Sequence, residues 1–66
     1  MPSREEIEAA ARAVFKAWRS HVLAERGIDR RRVAESFDAL DESERKFALS
    51  NAKAALDAAE IVRAQR

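Results

Sequence analysis

The chain has 66 residues and a mass of 7.4 kDa, with 13 Lys+Arg, 12 Asp+Glu, one His, one Gly, one Pro and no Cys. That length allows one small domain with a thin core, and the missing cysteines exclude disulfides and thiolate metal sites. A formal net charge of +1 gives no bulk attraction to nucleic acid or anionic lipid, and no apolar run exceeds three residues, far short of the ~20 that span a bilayer.

Fifteen Ala, ten Arg and eight Glu, against no Thr and no Tyr, favour helix over strand throughout. The spacing predicts an all-α fold of one domain over 1–66, a three-helix (long-short-long) small bundle whose two long helices run antiparallel. Its helices are expected at about 4–26, 30–40 and 42–64.

The first helix opens on a capping box, Ser3-Arg4-Glu5-Glu6, in which Ser3 accepts from the Glu6 amide and Glu6 reaches back to Ser3. Ile7, Ala11, Val14, Trp18 and Val22 recur at steps of four and three, with Phe15 beside them, forming an apolar stripe of roughly 100–120°. Glu8 and Arg12 pair at i,i+4 on the other side. Gly27, the only glycine, is the expected left-handed stop, with Leu23 and Ile28 placed for a Schellman contact.

A short second helix is expected from the Asp29 cap to Leu40, with Val33, Phe37 and Leu40 along one edge. The third starts at Asp41-Glu42-Ser43-Glu44, again a cap residue with Glu three places on. Its inner face is read as Ala48, Ala52, Ala55, Ala59 and Val62, bordered by Phe47, Leu49 and Leu56, a strip narrow enough for close helix approach. Ile61 falls off that strip and is expected to be exposed or in an interface. The expected core is Ile7, Val14, Phe15, Trp18, Val22, Phe37, Leu40, Phe47 and Leu56. So small a set of large apolar residues leaves a lone chain near marginal stability, which makes a homodimer a reasonable expectation.

Little here is arranged for chemistry. His21 has Glu25 at i+4, but two ligands do not complete a metal site, and Ser20 points about 100° away from the imidazole. No glycine-rich loop is present to cradle phosphate, and the acids Glu5, Glu6, Glu42 and Glu44 sit in first turns, where the helix dipole accounts for them. No enzyme, no cofactor and no metal are expected. The charge pattern is more informative: Arg26, Arg30, Arg31 and Arg32 crowd one connection, with acids at Glu35, Asp38, Asp41, Glu42 and Glu44 downstream. Guanidinium forks in that cluster suit an acidic protein surface or phosphates.

Two stretches, Ile7–Trp18 and Phe37–Lys46, resemble small helical proteins encoded by phages and prophages of GC-rich bacteria, and more distantly the ryanodine-receptor-type repeat domain. That domain has a longer, aromatic-rich segment between the two stretches, which this chain lacks. The resemblance implies a phage-linked accessory role without a defined activity. Phe37–Lys46 is also similar to the start of the third helix of HMG boxes, but the strong positive charge of those DNA benders is missing here.

The expected function is therefore a non-catalytic protein–protein interaction module, acting through a helix face or through Arg26–Arg32. Nucleic-acid binding by the same arginines is the alternative. Acids at Glu5 and Glu6, where a secretion signal would be basic and then apolar, make the expected location cytoplasmic, with no membrane association.

Overall fold

The computed structural model describes residues 1–65. Two α-helices, α1 (Arg4–Leu23) and α2 (Glu42–Ala64), are joined by a connector holding two single 3₁₀ turns, Arg30–Arg32 and Phe37–Ala39. There is no strand among the described residues. The long helices are antiparallel. The Met1 amino group lies 3.5 Å from Glu60 near one end, and Phe15 meets Phe37 at 6.3 Å nearer the other.

Local sequence fixes both helix starts. Ser3 Oγ accepts from the Glu6 amide at 3.1 Å while Glu6 Oε1 accepts from the Ser3 amide at 3.2 Å, which completes the capping box. Asp41 accepts from the Glu44 amide at 2.8 Å and starts α2. Each cap occupies amide donors that would otherwise face water without a helical partner.

The first helix stops three residues earlier than its spacing predicts. Beyond Leu23 the Ala24 and Glu25 amides bond three residues back, to His21 and Val22, so the last turn tightens and unwinds before Gly27. Gly27 does take the left-handed conformation, at φ +80°, but within the connector rather than as a helix stop. Ile28 is more than a third exposed, so the expected Schellman contact is not a buried one.

The short middle helix expected over 30–40 is absent as an α-helix. Val33, Ser36 and Leu40 are extended, which splits the segment into the two turns. Three consecutive arginines would have stood at the positive end of that helix's dipole, an unfavourable start. The extended backbone is satisfied from outside: Arg19 Nε donates to the Ala34 carbonyl at 3.0 Å, and Arg45 donates to the carbonyls of Asp38 (3.2 Å) and Leu40. Arg19 thereby takes up an acceptor that a middle helix would have paired internally, and Arg45 takes up two carbonyls that the end of such a helix would have left open.

The core sits where the connector meets the helix seam. Ala11 of α1 and Ala52 of α2 are buried, as the small-residue strip predicts, and Phe37 is lowered onto them. Ile7, Phe15, Leu40, Ala48 and Leu49 pack around this centre half-buried. Val33 is the other buried apolar residue. The particle measures 44 × 24 × 14 Å. Its shortest dimension is little more than the ~10–12 Å diameter of one helix.

Candidate interaction surface

The two flanks of the α1–α2 seam differ. On one, Phe37 and Asp38 of the connector lie beside Arg4, Glu8 and Arg12 of α1 and Arg45, Lys46 and Lys53 of α2, around a depression of about 690 Å³. Arg12 organises this flank. Its guanidinium binds both carboxylate oxygens of Asp38, at 2.8 and 3.1 Å, bonds Glu8 at 3.1 Å, and stacks 5.0 Å from the Phe37 ring centre. The bonds from Arg12 hold the Asp38 carboxyl below the usual range and push the Arg12 guanidinium further up.

The other flank is open and apolar. A groove of about 580 Å³ has a floor of Ala11, Ala48 and Ala52 and walls that include Val14, Trp18 and Phe47. These three were expected in the core, and the structure corrects that reading: Val14 is 66% exposed, Trp18 50% and Phe47 68%. The remaining expected core residues, Ile7, Phe15, Val22, Leu40 and Leu56, are half-buried, and Phe37 alone of the expected set is buried. The physical reason lies in the connector. Phe15 turns toward Phe37 in an edge-on contact at 6.3 Å and Arg19 holds Ala34, so the connector covers the Phe15–Arg19 side of α1. No described residue covers the Val14–Trp18 side, which stays at least half exposed. Trp18 leans on Phe15 at 5.9 Å, which fixes its ring at the groove edge without covering it.

Glu44 is the sole charged residue among the eleven that line this groove, in a chain that is 38% charged. Its side-chain contact with Asp41 raises its pKa, while the Glu44 amide holds Asp41 low. Ala55 lines the groove as well, and Val62 and Ile61 continue an exposed apolar edge toward the end of α2.

The arginine cluster lies apart from the groove lining. Asp29 caps the first 3₁₀ turn and meets Arg31 Nε at 3.3 Å and Arg32 Nε at 3.8 Å. Arg26 and Arg30 form no ion pair among the described residues, and the Arg31 and Arg32 side chains are 92% and 89% exposed. The acids downstream are not their partners: Asp38 is taken by Arg12. His21 stands exposed in the last turn of α1, and Glu25 falls beyond the end of that helix without a bond to it. Among the described residues no group of three or more His, Cys, Asp or Glu is placed to hold a metal, and no helix is long and apolar enough to cross a membrane.

Sequence reasoning missed two things. The roles of Arg19 and Arg45 as connector clamps leave no periodic signal, because each acts on backbone far along the chain. The exposure of Trp18 and Phe47 did leave one: two helices each carry a wide apolar stripe, yet only an eleven-residue middle segment is available to cover both flanks. No protein family, characterised protein or solved structure was found to match this chain.

Proposed function

We propose that this chain is a non-catalytic helical module that binds a protein through the Val14–Trp18–Phe47 face. The observation that carries the reading is the grouping of three large apolar side chains, each at least half exposed, around one groove with a single charged residue. Burying such side chains contributes about 1.5–3 kcal/mol each, so leaving them in water is costly unless a partner covers them. The likeness of two stretches to small phage and prophage proteins supports reading the chain as an accessory protein of that kind.

Affinity capture from the source cell tests this, using the native chain, Val14→Glu, and the triple variant Arg30→Ala, Arg31→Ala, Arg32→Ala. The groove reading expects Val14→Glu to lose the captured protein and the triple variant to keep it. The reverse pattern overturns it.

A second reading, nucleic-acid binding, is favoured by one observation: four arginines at the connector of which two are unpaired among the described residues and two almost fully exposed. Phosphate contacts would weaken steeply with salt, roughly in proportion to the number of arginines engaged. Binding that survives a rise from 50 to 200 mM salt would exclude this reading.

A further inference from the structure

We propose that the occupant of the apolar groove is a second copy of this chain, the two hairpins meeting face to face as a four-helix bundle. This rests on the reading of the groove face as a binding surface and names its partner.

The first argument is area. The chain exposes 5583 Å². A compact monomer of this mass would expose about 4,200 Å² by the usual surface scaling. The excess of about 1,400 Å² exceeds the ~800 Å² that each partner contributes to a standard stable interface. The radius of gyration says the same, at 14.0 Å where about 11 Å is usual for 66 residues. Stacking two slabs, each 14 Å thick, along their thin direction is the arrangement that would bring the dimensions back toward a compact particle.

The second argument is charge. A face that meets its own copy must not repel itself. A groove rimmed by one sign of charge would do so, and a groove of mixed charges would need them placed in register. Here Glu44 alone is charged, and the whole chain carries only +1, so pairing two copies brings little electrostatic opposition. Arg12, Asp38, Lys46 and Lys53 all line the other flank, which stays hydrated in such a dimer.

The third argument is the size of the core. Among the described residues only Ala11, Val33, Phe37 and Ala52 are buried, and no large side chain is fully enclosed. With no cysteine to form a disulfide, a chain with so little interior gains most from a cover present wherever the chain itself is made. Asn51, in the groove lining between Phe47 and Ala55, supplies a polar group of the kind that fixes register when helices pair.

Sedimentation of the full chain from about 1 to 300 μM, with circular dichroism on the same samples, tests the proposal. The expected result is twice the 7.4 kDa chain mass at the upper concentrations. A blue shift of Trp18 emission should track the mass, and Phe47→Glu and Val14→Glu should each weaken association by about a hundredfold, as expected for a charge placed in a buried contact. The triple arginine-to-alanine variant should dimerise like the native chain. Loss of helicity on dilution, in step with mass, also supports the proposal, even where the glutamate variants fail to fold. A helical native chain that stays at 7.4 kDa throughout overturns self-association but leaves groove binding of another protein standing. A dimer indifferent to both glutamate substitutions overturns the groove as the dimer interface, while the capture experiment with Val14→Glu decides the binding face separately.

Discussion

Arg12 and Asp38, twenty-six residues apart, form the one two-pronged ion pair of the described structure, with nitrogen–oxygen distances of 2.8 and 3.1 Å. The pair ties the middle of α1 to the second 3₁₀ turn, and the same guanidinium lies over Phe37, which fills the core next door. One side chain thus holds the connector by charge and by ring contact together.

Removing either partner should loosen the connector while leaving both helices formed. Asp38→Asn and Arg12→Ala are each expected to lower the melting temperature, with Arg12→Ala the larger because it also uncovers the Phe37 ring. Asp38→Asn added to Arg12→Ala should cost little more, since the pair is already broken. Thermal melts of the four chains followed at 222 nm check this; fully additive losses would show that the two side chains act independently.

Phe37, at 5% exposure, is the most deeply buried aromatic side chain among the described residues. Phe37→Ala is expected to destabilise by about 3 kcal/mol or more, the usual cost of emptying an aromatic core site. A domain of this length holds roughly 3–10 kcal/mol in all, so the variant should be largely unfolded at 37 °C. Urea titration with a midpoint close to that of the native chain would contradict the placement of Phe37 at the centre of the fold.

Acid should destabilise the chain. Bonds from Arg12 lower the Asp38 pKa below its ordinary 3.8, and the Ser3 amide lowers that of Glu6 below its ordinary 4.5. Both carboxyls hold their protons less tightly folded than unfolded, so they add stability above their ordinary values and lose it as the pH falls through the lowered ones. Asp41 is lowered too, but its neighbour Glu44 is raised, and a raised acid opposes folding above its folded pKa and is relieved on acidification. Those two act against each other, which leaves Asp38 and Glu6 to set the net sign. Stability measured by urea at steps from pH 6 to pH 2 should fall mainly below about pH 4.5, and Asp38→Asn should flatten the curve.

Gly27 is the one described residue at positive φ, and a methyl group there would meet no atom within 4 Å. Gly27→Ala should therefore cost about 1 kcal/mol from backbone conformation alone. Gly27→Asn should recover much of it, because asparagine tolerates the left-handed region. Chemical denaturation of the two variants distinguishes a conformational penalty from a steric one, which would make asparagine worse than alanine.

Much of this fold could be read from the residues. Ser3 with Glu6 and Asp41 before Glu44 announce their helices, and the alanines at 11 and 52 announce a close seam, because caps and periodicity are local rules. The middle segment departs from its helical spacing for a tertiary reason. Val33 and Phe37, four apart, fit a helix edge, but they fit two extended-linked turns equally well, and Arg19 and Arg45 decide between them from outside the segment. The candidate site depended on that outcome. Trp18 and Phe47 look like core residues in any helix-by-helix reading, and they become surface only when the connector settles on the Phe15 flank and leaves the other uncovered.

The buried contact of Ala11 with the α2 side of the seam has a consequence for how this chain can change over evolutionary time. Those two methyl-sized positions act as a gauge that sets how far apart the helix axes stand. Enlarging either one would wedge the hairpin open, lift the phenylalanine plug and reshape both outer faces in a single step. Substitution by any larger side chain should therefore be poorly tolerated at Ala11 and Ala52.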